Sequence, residues 1–273
     1  MLIVFSDLDG SLLDHDTYDW RPAKPALDRI EEQCIPLIPV SSKTAAELEI
    51  YREQLHLRHP MVAENGAALC IPADYFPDTV TFPAARNTRA RLQSVYEDLK
   101  LAHAFRCEAF YELGIPGIVR ETGLSERQAV LANDRQASEP ILWRDSDERA
   151  TQFQQAALSR GLRCVRGGRF LHLMGNTGKA EAVKQLLRAY AAKWPGKTCT
   201  SVSLGDAPND LGMLSATDIA VIIPGRHTHR MTVDARNRVL RPVSAGPAGW
   251  NSAMMSLLAE HYDKQATARG DGG

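Results

Sequence analysis

Residues 2–13 read LIVFSDLDGSLL. The first four are bulky and apolar without alternation, which predicts a strand buried on both faces, as in a parallel sheet. The run stops at Ser6-Asp7. Residues two apart on extended chain point the same way. Asp7 and Asp9 therefore leave the strand's end on one side, in the crevice where open α/β sheets bind ligands. Gly10 lets the chain turn away without a side chain in the pocket. Two carboxylates this close repel, so one stays ionised while the other holds a proton, unless a cation lies between them. Such a pair suits phosphoryl transfer: Asp7 attacks phosphorus, and Asp9 protonates the leaving alkoxide and later deprotonates water. Asp-x-Asp alone is more often two solvated loop carboxylates; its place at the end of a buried strand reverses that reading.

Outward from this stretch the chain alternates. Residues 22–33 predict a helix, with Ala26, Leu27 and Ile30 on one stripe. Residues 35–40 predict a strand. Ser41-Ser42-Lys43-Thr44 then opens a helix to about Leu55, with Glu47 where a capping box from Thr44 wants it. A third strand, 61–63, ends at Glu64-Asn65-Gly66. The middle differs: strands at 79–82, 141–143 and 169–173 and helices at 85–99, 125–133 and 150–159 suggest a small sheet covered by helices on one side. From Gly175 the first rhythm returns, with helices at 180–190, 211–215 and 250–261 and strands at 200–204 and 218–223. Residues 265–273 are small and polar and are expected to fray. The pattern is α/β, a parallel-sheet core over 1–83 and 173–273 interrupted by a second unit over 84–172.

The strand at 200–204 ends in GDAPND, 205–210. Asp206 falls at a strand tip facing the same crevice, and Asp210 lies one helical turn later. Several acidic oxygens around one point make a hard site, fit for Mg²⁺ with waters retained. A phosphate also needs donors. Ser41 follows the second strand near a helix start, a natural anion seat, and Lys179 lies just inside another helix, where its ammonium can neutralise a phosphate oxygen and Asp7. Singly, these read as a cap and a solvated lysine.

Together DLDGSLL at 7–13, Ser41, Lys179 and GDAPND resemble the haloacid-dehalogenase-like phosphatases in type and order. The resemblance implies a Rossmann-like core with an inserted α/β cap. It makes Asp7 the nucleophile and Asp9 the general acid and base, gives phosphate to Ser41 and Lys179, and centres Mg²⁺ on Asp7, Asp9, Asp206 and Asp210. Further segments narrow it: PVSSKTAAELE at 39–49, VAENGAAL at 62–69, ASEPILWRD at 137–145, GGRFLHLMG at 167–175 and AGPAGWN at 245–251 resemble mannosyl-3-phosphoglycerate phosphatases. The implied reaction hydrolyses mannosyl-3-phosphoglycerate to mannosylglycerate and phosphate. Its carboxylate calls for an arginine fork, for which Arg144, Arg166 and Arg169 are candidates. Glu64, Asn65, His172 and Asn209 are candidates for the remaining substrate contacts. Glucosyl-3-phosphoglycerate, another sugar phosphate, a phosphosugar mutase and a non-enzymatic sugar-phosphate binder are the competing readings.

Composition excludes other classes. A net charge of -1 gives no bulk attraction to nucleic acid. The five cysteines are scattered, odd in number and without a CxxC pair, so reduced and mostly buried thiols are expected. The start has no basic leader and no membrane span, so a cytoplasmic protein is expected; the resemblance implies a small phosphorylated sugar acid as its partner. His227 and His229 alternate in a basic loop with too few further ligands for a metal.

Overall fold

The computed structural model describes residues 1–83, 87–167, 169–225, 228–233 and 238–270. In chain order the first part holds β1 (Leu2–Ser6), α1 (Lys24–Glu32), β2 (Leu37–Pro39), α2 (Ala45–Gln54) and the hairpin of β3 (Met61–Ala63) and β4 (Ala68–Cys70). The middle holds α3 (Arg89–His103), β5 (Cys107–Ala109), α4 (Phe110–Thr122), α5 (Glu126–Asn133), β6 (Ser138–Trp143), α6 (Asp147–Ser159), β7 (Leu162–Arg166) and β8 (Phe170–Gly175). The last part holds α7 (Lys179–Lys193), β9 (Thr200–Gly205), α8 (Leu211–Leu214), β10 (Ile219–Ile222), β11 (Arg238–Leu240) and α9 (Gly246–Gly270).

The core sheet is parallel, in the order β11-β10-β9-β1-β2. Chain order departs to opposite sides of β1, which makes its carboxyl end a topological switch point. β1 is buried along its whole length. Leu2 and Val4 pack with α1, Leu48 of α2, and α9, while Ile3 and Phe5 pack with α7 and Met213 of α8. An apolar run covered on both faces is what such a strand requires. The Thr44 hydroxyl accepts from Glu47 N–H at 3.1 Å and the Glu47 carboxylate accepts from Thr44 N–H at 2.8 Å, so the capping box forms and sets the start of α2.

The cap is a four-stranded antiparallel sheet, β5-β6-β8-β7. Helices α3 and α6 close one face through Tyr96, Leu99 and Phe153 against Ile141, Leu171 and Leu173. A second cluster, Phe110, Ile118, Ala129 and Ala132 of α4 and α5, packs on Phe170. Helix α4 is not among the helices expected above, and Gly114 and Pro116 both disfavour one. Gly114, at φ 60° and ψ 177°, breaks the helical run into two pieces, and burial of Phe110 and Ile118 holds them. The expected strand at 79–82 does not form. Pro77 and Pro83 flank it without N–H donors, and Phe82 packs on Phe76 instead. The cysteines are free but not mostly buried: Cys107 is, Cys34 is exposed and the other three are half-buried. Among the described residues no helix is long and apolar enough to cross a membrane. Arg226 and His227 lie outside the described residues.

Candidate active site

Asp7 follows β1 directly, and three local bonds fix it. Its N–H donates to Leu204 O at 2.9 Å, its carbonyl accepts from the Ser6 hydroxyl at 2.7 Å, and that hydroxyl accepts from Trp250 Nε1 at 2.9 Å. Trp250 is fully buried, so α9 braces the strand end from below. Lys179, at the start of α7 with its side chain 2% exposed, donates to Asp7 Oδ1 and to Asp210 Oδ1, both at 2.6 Å. Asp210 Oδ2 accepts from the N–H groups of Asp206 and Ala207, so the GDAPND turn wraps its own carboxylate. Ser11 Oγ donates to Asp206 Oδ1 at 3.4 Å. Gly10 is demanded twice: its φ is +85°, and a Cβ there would lie 2.3 Å from Asp206 Oδ2.

Asp7, Asp206 and Asp210 each present an oxygen, and these atoms lie within 4.8 Å of one another. Burial and then the Asp210 charge push the Asp7 carboxyl well above the usual carboxylate range, against the pull of Lys179. Burial and Asp210 likewise raise Asp206 to about 7, again against Lys179. Burial alone would pull the Lys179 ammonium down, but Asp210 and Asp7 outweigh it and hold it above the ordinary lysine value. Three carboxylates against one ammonium leave the cluster short of positive charge. An all-oxygen donor set of this kind fits a hard divalent cation.

Asp9 points elsewhere. Its carboxylate pairs with Lys43 Nζ at 2.9 Å, and that ammonium lies 4.9 Å from the Tyr18 ring centroid. Ser41 is buried at the end of β2, but its N–H is committed to Val62 O and its hydroxyl accepts from Lys43 N–H. Its hydroxyl proton, rather than a free amide, is what it can offer a phosphate. Asn65 is buried beside Asn209, whose amide lies 3.5 Å away. Gly66 lets this turn abut α7, because a Cβ there would lie 2.3 Å from the Gly178 carbonyl.

The remaining candidates separate. Glu64 is fully buried and its carboxylate is saturated by the cap: Oε1 accepts from Gln136 N–H at 2.9 Å, Oε2 from Ala137 N–H at 3.1 Å and the Ser138 hydroxyl at 2.6 Å. Arg144 bonds Glu108 and Glu121, Arg169 bonds the carbonyls of Glu121 and Thr122, and Arg166 pairs with Asp147; each is on exposed cap surface and none joins the cluster. His172 is buried on β8. Burial, then the charges of Arg135 and Lys179, pull its imidazole down to about 3. Sequence reasoning missed Lys43 and Ser11. Lys43 had a usable signal, a cation two residues past Ser41; Ser11 did not.

The His172 shift has a measurable consequence. Its unfolded value is about 6.5 and its folded value lies below that, so its contribution is complete above pH 6.5 and is lost as pH falls toward 3. Between pH 7.5 and 5 the wild type should lose about 2 kcal/mol relative to His172→Gln. Urea unfolding of both proteins across that range checks it; parallel curves would mean that the imidazole is not held neutral.

A family model described as haloacid dehalogenase-like hydrolase matches residues 4–106. A glucosyl-3-phosphoglycerate/mannosyl-3-phosphoglycerate phosphatase of Methanococcoides burtonii is 34% identical over 274 residues, 95% of this chain and 98% of that protein. Among solved structures, a HAD subclass IIB sugar phosphatase superposes with a TM-score of 0.64 at 14% identity, covering 94% of this chain and 99% of that one. The sucrose-phosphatase of Synechocystis sp. PCC6803, solved with sucrose and phosphate, superposes with a TM-score of 0.60 at 16% identity, covering 93% and 97%. These structural likenesses carry the fold. The full-length match carries more: this chain is a haloacid dehalogenase-like phosphatase and belongs to the family of the glucosyl-3-phosphoglycerate/mannosyl-3-phosphoglycerate phosphatases.

Proposed function

We propose that the protein is a cytoplasmic, Mg²⁺-dependent phosphatase that hydrolyses mannosyl-3-phosphoglycerate to mannosylglycerate and phosphate. The observation that carries the chemistry is Asp7, buried at the switch point of the sheet, 2.6 Å from Lys179. Lys179 draws a phosphoryl oxygen toward itself and leaves the second Asp7 oxygen to attack phosphorus. The Ser41 hydroxyl donates to another phosphoryl oxygen. Asp9 is paired with Lys43 in the resting site; in the complex with the ester it takes up a proton, gives that proton to the departing glycerate oxygen and then takes one from the water that cleaves the acyl phosphate. Asp7, Asp206 and Asp210 would hold Mg²⁺, which would neutralise the charge that gathers on the transferring group; Asp9, paired with Lys43, is a further ligand by the resemblance alone. The core unit expected over 1–83 and 173–273 carries this chemistry, and the inserted unit expected over 84–172, whose last strand β8 runs on to Gly175, closes over the ester. Asn65 and Asn209 face the sugar.

The substrate rests on the full-length relative, whose name covers both sugars. Glucosyl-3-phosphoglycerate is therefore the second reading. The test is a phosphate-release screen over both glycosyl-3-phosphoglycerates and a panel of sugar phosphates. Release from neither glycosyl ester overturns the substrate, and sugar-phosphate isomers without free phosphate would show a mutase.

The metal has a readout apart from turnover. Saturating Mg²⁺, at about 100 times its Kd, adds about 2.7 kcal/mol to a folded state that binds it. For a chain of this size that is a rise in Tm of about 5–10 °C. Asp206→Asn should lose most of the rise. An unchanged Tm in the wild type would take the cation away from this cluster.

A further inference from the structure

A buried guanidinium is costly unless an anion meets it. Arg135, between α5 and β6, is 7% exposed. Its Nε donates to Ala132 O at 3.0 Å, and its Nη1 donates to Ser42 O at 3.3 Å and to the Ser138 hydroxyl at 3.0 Å. These are neutral acceptors. Among the described residues, Arg135 has no carboxylate in ion-pair contact; the Phe110 ring, 5.8 Å from its guanidinium carbon, carries no net charge to meet it. Glu47, Glu64 and Glu139 act on it from longer range, and each is committed elsewhere. Glu47 closes the capping box of α2, Glu64 takes the cap backbone, and Glu139 takes Arg89 and Gln93.

His172 faces the same space. Leu171 and Leu173 lie in the cap's own core, so the ring between them leaves the opposite face of β8. It is 8% exposed, and its Nδ1 has no partner. Gly167 closes its other edge, where a Cβ would lie 2.9 Å from Nε2. The charges that act on the ring are those of Arg135 and Lys179. His172 pairs with Pro140 across β8 and β6, so its ring leaves the same sheet face as Ser138, two residues before Pro140, whose hydroxyl accepts from Arg135. A cation without an anion and an imidazole nitrogen without a partner thus share one face of the cap sheet, the cation bonded to the backbone of Ser42, one residue past Ser41. Buried polar groups left open in this way call for an occupant. A sugar hydroxyl would satisfy the imidazole but leave the charge uncompensated. A planar carboxylate satisfies both, since a guanidinium fork matches it.

We propose that Arg135 and His172 form a carboxylate seat under the cap, beside the phosphate seat, so that the enzyme selects phosphate esters bearing an acid group. The assignment rests on the glycosyl-3-phosphoglycerate reading and names the side chains that recognise its acid. It sets aside Arg144, Arg166 and Arg169, whose guanidiniums are spent on the cap surface.

The experiment compares kcat/KM of the full chain with Mg²⁺ on mannosyl-3-phosphoglycerate, on its carboxamide analogue and on p-nitrophenyl phosphate. The wild type should prefer the acid over the amide by about 10²-fold, the scale of a buried charged group left unpaired. Arg135→Gln should lose about 10²-fold on the acid while changing less than about threefold on the other two esters, so the preference collapses. His172→Gln should lose about tenfold, again on the acid alone. If Arg135→Gln does not fold, Arg135→Lys and His172→Gln carry the same comparison. Losses that run parallel on all three esters, with the acid preference intact, would overturn the seat and leave Arg135 a clasp between cap and core. A wild type that cleaves p-nitrophenyl phosphate but neither glycerate ester fails the substrate reading itself, before any variant is compared.

Discussion

Phosphate release falls by about 10⁴-fold or more in Asp7→Asn, the scale at which losing a nucleophile acts, while the protein stays folded. The carboxamide retains an oxygen for the Lys179 ammonium, which now sits 2.6 Å from Asp7 Oδ1. It cannot form the acyl phosphate. Stability should move the other way from activity. Burial and the neighbouring Asp210 and Asp206 already penalise the charged form of Asp7, and a neutral amide removes that repulsion in metal-free protein. The variant's stability in EDTA should therefore match or exceed that of the wild type. A phosphate assay and a thermal melt on one preparation check both halves. Turnover near the wild-type rate would remove Asp7 from the chemistry. Loss of activity together with unfolding would make it a structural carboxylate.

What the sequence reveals of this site follows from range. Asp7, Asp9, Asp206 and Asp210 are legible because each stands at or just past the end of an apolar strand, and parallel sheets gather those ends at one edge. Lys179 is legible because a helix start follows a glycine. The capping box at Thr44 and Glu47 needs a separation of three residues and forms as read. Glu64 is the opposite case. It stands at a strand end like Asp7 and Asp206, yet it bonds Gln136, Ala137 and Ser138, more than seventy residues away. Nothing within a dozen residues of Glu64 reports where the cap will land. Arg135 is hidden for the same reason, since the ASEPILW segment after it identifies a strand but not the core loop that meets it. Local propensity also misleads inside the cap. Pro116 argues against a helix that Phe110 and Ile118 stabilise by burial, and the β-branched run at 79–82 argues for a strand that finds no partner.

Lys179→Ala should cost both rate and stability, and the two losses should separate. The ammonium is the one cation in contact with both Asp7 and Asp210 among the described residues, and its side chain is 2% exposed. Its removal takes away the positive charge facing the transferring phosphoryl group, worth about 10²–10³-fold in kcat. It also leaves two buried carboxylates facing each other, and breaking a buried pair in this way costs about 3–5 kcal/mol. In EDTA the variant should melt roughly 6–20 °C below the wild type. Mg²⁺ should return part of that, because the cation supplies the charge the carboxylates have lost, but it should return little of the rate, because it does not replace the donor on Asp7. Adding Asp210→Asn to Lys179→Ala removes one of the stranded charges. The double variant should therefore regain stability over the single one while staying as slow or slower, a non-additive stability and an unrescued rate. If Lys179→Ala keeps its melting temperature in EDTA, the three carboxylates are not balanced by this ammonium, and the electrostatic account of the site is wrong at its centre.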